Sequence, residues 1–143
     1  MAIVKKSITI NAPSEKLFKY VTEPDKLPEI WPSLIENKDV ERLPNGGNRT
    51  RFIYKMAGMR FEGISEDTEF IPNQRVVSKI QGGVEGEVIW EFQPDDGGTD
   101  VTLKSEYTVP IPLLGKLAEV FIVKQNENEG ETILANLKAR MEA

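Results

Sequence analysis

Apolar and polar positions alternate along most of the chain, and a helical spacing replaces that alternation near the start and at the end. Val4, Lys6, Ile8 and Ile10 share one side of a two-residue repeat, with Lys5, Ser7 and Thr9 opposite, so residues 4–10 are predicted to form a strand. Pro13 then sits where a first helical position accepts proline, and Leu17, Phe18 and Val21 supply a short apolar stripe. Pro24, Pro28 and Pro32 leave room only for a short second helix or turn near residues 26–31. From Leu34 onward the punctuation is that of hairpins, with turn signals at Asn45-Gly46-Gly47, Ala57-Gly58, Pro72-Asn73, Gly82-Gly83 and Asp95-Asp96-Gly97-Gly98. The intervening segments are rich in Val, Ile, Phe, Tyr and Thr, which predicts six more strands in an antiparallel meander. After Pro110 and Pro112 the pattern is helical from about residue 113 to 141.

These elements define an α+β fold: a seven-stranded curved antiparallel sheet, two short helices after strand 1, and one long C-terminal helix over the concave face. Only the final helix is long enough to cover that face. No repeat or low-complexity linker interrupts residues 1–143, which read as one domain.

The hairpin turns fix cross-strand pairs. A turn at residues 95–98 sets Phe92 against Val101, Trp90 against Leu103, Val88 against Ser105 and Gly86 against Tyr107. One face then carries Val88, Trp90, Phe92, Val101, Leu103, Tyr107 and Val109, with Ser105 the small hydroxyl among them. The other carries Glu85, Glu87, Glu91, Thr102, Lys104, Glu106 and Thr108, a solvent face. Gly86 opposite Tyr107 suits a bend that the aromatic ring covers. The turn at Ala57-Gly58 likewise sets Tyr54 beside Phe61, Phe52 beside Gly63 and Met56 beside Met59. A mostly aromatic wall with a few hydroxyls is the usual make-up of a small-molecule pocket, and a solid core is the alternative.

On the C-terminal helix, Leu113, Leu117, Val120 and Phe121 define one apolar stripe, and Ile133, Leu134, Leu137 and Met141 a second one rotated about the axis. Between them, residues 124–130 contain no aliphatic side chain. Either this stretch is a solvated bulge or kink at Gly130, or it borders a cavity with Glu127 pointing inward. The candidate ligand contacts are Phe52, Tyr54, Phe61, Val88, Trp90, Phe92, Leu103, Ser105, Tyr107, Leu117, Phe121 and Glu127. Trp31, in the proline-rich segment, is expected to lie apart from them.

Composition narrows the chemistry. With neither cysteine nor histidine, the chain has no disulfide framework, no thiolate nucleophile and no imidazole base or metal ligand. The acidic residues Glu62, Glu66, Asp67 and Glu69 alternate along a strand and so diverge, which leaves no metal site expected and no cofactor. Eighteen basic residues against 23 acidic give a net charge of −5, and the basic ones never form a run, which argues against nucleic acid. The N-terminal residues show neither signal peptide nor membrane span, so a cytoplasmic protein without integral membrane association is expected.

Several stretches carry a family likeness: Asn11-Ala12-Pro13-Ser14-Glu15, residues 24–32, Gly63 with Glu69-Phe70-Ile71-Pro72, Trp90-Glu91-Phe92 with residues 97–102, and Leu134-Ala135-Asn136-Leu137-Lys138. On these the chain resembles the START / polyketide cyclase-dehydrase and lipid-transport superfamily (SRPBCC, helix-grip), especially its small prokaryotic members. The resemblance implies an internal hydrophobic cavity between sheet and helix that takes lipids, isoprenoids or polyketide-like molecules. No catalytic pattern of the family's cyclases carries over, and no catalytic residue is assigned. Binding or transport of a hydrophobic small molecule is the leading expectation. A cyclase, dehydratase or isomerase acting in the same cavity and a co-chaperone or protein-interaction module, with its protein partner unknown, are the alternatives.

Overall fold

The computed structural model describes the backbone of residues 2–108 and 115–143, and the side chains of all of these except 115–118. Strands β1 (Ala2–Ile10), β2 (Leu34–Arg42), β3 (Asn48–Met56), β4 (Met59–Ile71), β5 (Arg75–Gly82), β6 (Glu85–Asp95) and β7 (Gly98–Thr108) form one antiparallel sheet. Their order is β1-β7-β6-β5-β4-β3-β2, so the meander is intact and β1 returns to pair with the last strand. Helix α1 (Ser14–Val21) and a 3₁₀ turn at Leu27–Glu29 follow β1, and helix α2 is Gly115–Met141. Pro13 stands one place earlier than its composition suggests: its φ of −71° and ψ of 147° make it the residue before the helix.

The hairpin registers follow from the turns. Phe92 pairs with Val101, Trp90 with Leu103, Val88 with Ser105 and Gly86 with Tyr107. Tyr54 pairs with Phe61, Phe52 with Gly63 and Met56 with Met59. Ala57 and Gly58 meet the two-residue turn's demand for left-handed backbone, with φ of 53° and 78°. The sheet curves at bulges in β2 and β4 and at Gly86, where a Cβ would stand 2.0 Å from the Glu106 carbonyl oxygen.

Helix α2 packs mainly against β1, at the edge of the sheet, with lesser contact to β7. Its second apolar stripe is buried as expected: Ile133, Leu134 and Leu137 are almost inaccessible, and Met141 closes the end. Each such side chain contributes about 1.5–3 kcal/mol by leaving water. The first stripe is not where the spacing placed it. Val120 and Phe121 are 66% and 64% exposed, and Ile122 is the inward residue. One continuous stripe therefore runs through Ile122, Asn126, Gly130, Ile133, Leu137 and Met141, polar in its middle but not rotated. Val109, Leu113 and the Leu117 side chain lie outside the described residues.

Helix α2 runs unbroken through Gly130. This glycine is buried against β1, where a Cβ would meet Lys6 Cγ at 3.2 Å and Val4 Cγ1 at 3.6 Å, so it lets helix and strand approach closely. Lys6 reaches past it to Glu131 at 3.4 Å and Glu127 at 4.0 Å. Among the described residues no helix is long and apolar enough to cross a membrane.

Candidate functional site

A cavity of about 150 Å³, partly open to solvent, lies on the concave face under the middle of α2. Its position follows from the strand alternation. Asn48, Thr50, Phe52, Tyr54 and Met56 are successive inward residues of β3, and Ser65 with Asp67, Val76 with Ser78 and Ile80, Val88 with Trp90, and Leu103 with Ser105 and Tyr107 continue the floor across β4 to β7. Trp31, Leu34 and Leu27 wall one side, and Asn126, Glu129, Gly130 and Ile133 of α2 form the roof.

The roof is tied to the wall by one carboxylate. Glu129 Oε2 accepts hydrogen bonds from the Ser33 backbone N–H at 3.0 Å and from the Ser33 hydroxyl, and Glu129 Oε1 accepts one from the Tyr54 hydroxyl at 3.0 Å. Burial, and then the adjoining Glu129 charge, push the Tyr54 phenol far above its ordinary value of 10.0, so it stays a neutral donor. Trp31 Nε1 lies close enough to the Tyr54 oxygen to oppose that shift. Beside this pair, Asn126 Nδ2 donates to the Tyr107 oxygen. Burial raises the Tyr107 phenol as well, against the lowering effect of that bond.

A second polar group sits at the other end of β3. Asp67 Oδ2 accepts from the Asn48 backbone N–H at 2.8 Å, and Oδ1 accepts from the Ser78 hydroxyl at 2.7 Å. Burial holds the Asp67 carboxyl above its ordinary 3.8 despite both bonds. Asn48 Nδ2 points away, to the Thr22 carbonyl at 3.4 Å.

Between the polar groups the surface is aromatic. Trp31 meets Trp90 edge to face with centroids 6.5 Å apart, and Trp90 stacks on Phe92 at 6.2 Å. Phe92 then meets Phe18 of α1 at 5.7 Å, and Phe18 meets Phe70 at 5.1 Å. Trp90 is thus the boundary between a filled core and the cavity.

Of the candidate contacts, Phe52, Tyr54, Val88, Trp90, Leu103, Ser105 and Tyr107 line the cavity together. Phe61 and Phe92 are packed behind its wall, Phe61 near Met56 and Val84, Phe92 on the α1 side. Phe121 faces away from the sheet, since neighbouring helix positions are turned by about 100° and Ile122 holds the inward one. Glu127 does not line the cavity: its side chain is 41% exposed and faces Lys6, while Glu129 is the inward acid. Trp31, expected to lie apart, is buried in the wall. The Asn48, Thr50, Ser65, Asp67 and Ser78 group was also missed. Its signal was the inward alternation itself, read on from Phe52 and from the Asp67–Ser78 pairing.

Among curated proteins none matches the chain. Solved structures share the fold. A Thermus thermophilus protein, TTHA0849, superposes with a TM-score of 0.85 at 23% identity over 97% of this chain and 96% of its own. A START superfamily protein from Mycobacterium smegmatis gives 0.78 at 15% identity over 99% and 98%. The di-domain ARO/CYC StfQ from the steffimycin biosynthetic pathway gives 0.75 at 18% over 99% of this chain and 51% of StfQ. Below 25% identity these likenesses establish the helix-grip architecture and nothing of the chemistry. The model of the polyketide cyclase / dehydrase and lipid transport family matches residues 1–142, and the chain belongs to that family.

Proposed function

We propose that this protein binds or carries a hydrophobic small molecule, of lipid, isoprenoid or polyketide-like kind, in the cavity between sheet and α2. The observation that carries this reading is an apolar, aromatic-walled cavity bounded by both tryptophans, with a few convergent polar groups at its edges. Its volume of about 150 Å³ is on the scale of engineered apolar cavities that hold a single benzene, so larger ligands require α2 or the Trp31 wall to move. The Glu129 bonds to Ser33 and Tyr54 are the polar contacts such a movement would break.

The test is a titration of wild type, Trp31→Phe and Trp90→Phe with fatty acids, isoprenoid quinones and flavonoid-like aromatics. Saturating ligand should change the emission of all three proteins, because each retains a tryptophan in the wall, and should raise their Tm. If no class of ligand alters emission or Tm in the wild type, the binding reading is lost.

The Tyr54–Glu129 hydrogen bond favours a second reading, a cyclase, dehydratase or isomerase in the same cavity. A carboxylate and a phenol in hydrogen-bond contact can exchange a proton with a bound carbonyl compound. Turnover of a poly-β-ketone mimic by the wild type and not by Glu129→Gln distinguishes it from the carrier.

A further inference from the structure

Charge in the cavity is of one sign. The chain as a whole carries 18 basic residues against 23 acidic ones. The described residues that line the cavity include three acids, Asp67, Glu87 and Glu129, and neither lysine nor arginine. A carboxylate drawn partly out of water is costly unless a cation or several donors meet it. Glu129 has its donors, two from Ser33 and a third from Tyr54. Asp67 has fewer. The Asn48 backbone N–H meets Oδ2 and the Ser78 hydroxyl meets Oδ1, which leaves one further acceptor position on each oxygen. Both donors are neutral, and the neighbouring charge that acts on Asp67 is another acid, Asp39 of β2.

An independent observation points to the same place. Asn48 is 8% exposed, and its Oδ1 has no hydrogen-bond partner within the protein. Folded proteins satisfy the great majority of such atoms, because an unmet acceptor has lost its water without replacement. Asn48 Nδ2 donates to the Thr22 carbonyl oxygen, so turning the amide over would set oxygen against oxygen. The unmet atom is therefore an acceptor. Trp31 Nε1, the other such atom among the described residues, has the Tyr54 oxygen beside it. The Asn48 end thus holds acceptors in excess: Asn48 Oδ1, the open positions on Asp67, and the hydroxyl of Ser65, one inward position along β4 and paired with Thr50. What it lacks is a positively charged donor. Phe52, the next inward residue of β3 after Thr50, and Trp90 continue the surface as an apolar wall.

We propose that the Asp67–Asn48 end of the cavity is a cation site, which takes the ammonium group of a compact aromatic amine whose ring lies against Phe52 and Trp90. This rests on the reading of the cavity as a ligand site and adds the charge that the ligand carries. The three N–H donors of a primary ammonium match Asp67, Asn48 Oδ1 and Ser65. A volume of about 150 Å³ admits one ring with a short amine arm. A carboxylate placed at the same end would meet only like charge and acceptors.

Three probes on one frame test it: benzylamine, benzyl alcohol and benzoate, titrated calorimetrically at neutral pH into wild type, Asp67→Asn and Glu127→Gln. In the wild type, benzylamine should bind at least about 10-fold more tightly than benzyl alcohol, the advantage of a charged hydrogen bond over a neutral one, and benzoate should bind weakest. Asp67→Asn keeps an acceptor for the Asn48 N–H, and the Ser78 hydroxyl can turn to accept, so it removes charge with little change of shape. It should bring benzylamine and benzyl alcohol to equal affinity. Glu127→Gln makes the same charge change on an acid outside the cavity and should leave the wild-type ratio intact. If Asp67→Asn fails to fold, the order of the three probes in the wild type decides the matter. Equal affinity of the wild type for benzylamine and benzyl alcohol, or tighter binding of benzoate, overturns the inference while leaving the cavity a ligand site. An amine preference that persists in Asp67→Asn, or that Glu127→Gln also removes, overturns it as well. No binding of any probe by the wild type overturns the cavity reading and this inference with it.

Discussion

Under the C-terminal half of α2 the concave face is solid. Ile10, Leu17, Val101, Ile133, Leu134 and Leu137 are each at most 2% exposed, and Phe18 fills the angle between Phe70 and Phe92. Under the middle of the same helix, where Asn126, Glu129 and Gly130 face the sheet, a cavity remains. Both regions are floored by the same strands, with the same alternation and the same kinds of aromatic residue. What differs is the layer above. Helix α1 with Leu134, Leu137 and Met141 fills one end, while at the other end Asn126, Glu129 and Gly130 leave space beneath them.

That difference has an energetic size. At about 24 cal/mol per Å³, an unfilled 150 Å³ represents on the order of 3–4 kcal/mol relative to a packed core, against the ~5–15 kcal/mol of a typical domain. Water on the Asp67 and Glu129 groups, or a ligand, offsets part of it. A protein needing only stability would fill the space with an aliphatic residue at position 126 or 129. The polar middle of α2 is therefore the element that keeps the cavity open.

Truncation gives the largest expected contrast between the regions. Leu137→Ala, in the solid half, should lose about 2–5 kcal/mol in urea denaturation, whereas Phe121→Ala, on the exposed side of the same helix, should stay within about 0.5 kcal/mol. A costly Phe121→Ala would mean that the helix is rotated from the orientation described.

Enlargement sharpens the same comparison. Val101→Phe overfills a packed site and should cost about 1–3 kcal/mol. Val88→Phe adds its volume to the cavity, so it should cost less than about 0.5 kcal/mol while preventing the ligand-dependent rise in Tm. Equal costs for the two would show that the cavity is not available space.

The smallest effect expected is a pH dependence in the alkaline range. Tyr54 has its phenol raised above 10.0 in the folded protein, so the unfolded chain ionises first. The stability this tyrosine contributes is complete below about pH 10 and falls as pH rises toward its native value. Tyr54→Phe should make that alkaline decline in stability shallower, measured by urea unfolding at successive pH values, and the part that persists belongs to Tyr20 and Tyr107, whose phenols burial also raises. An unchanged alkaline limb would show that Tyr54 is not held neutral by burial and Glu129.

Local signals read from the sequence located every hairpin, because each turn is marked by residues that tolerate left-handed backbone, and a two-residue period then assigns side chains to faces wherever no bulge shifts the register, as bulges in β2 and β4 do. That reasoning put Phe52 and Tyr54 on one inward face and Val88, Trp90, Leu103, Ser105 and Tyr107 on another, but left open whether the faces border a cavity or a solid core, and only the tertiary structure shows the cavity they line. The buried stripe from Ile133 to Met141 was equally legible, since aliphatic residues mark their own side of a helix. The rest required tertiary structure. A helix stretch without aliphatic residues has no internal mark of which side faces in, and Glu127 and Glu129 stand about 200° apart around the axis. Only the close approach of Gly130 to Val4 and Lys6 sets that rotation, turning Glu129 onto Tyr54 and leaving Glu127 to solvent and Lys6. Trp31 likewise sits in a segment whose prolines define where regular structure stops but not which way the turn folds. Its burial against Trp90 is decided by the sheet's curvature, a property of all seven strands together.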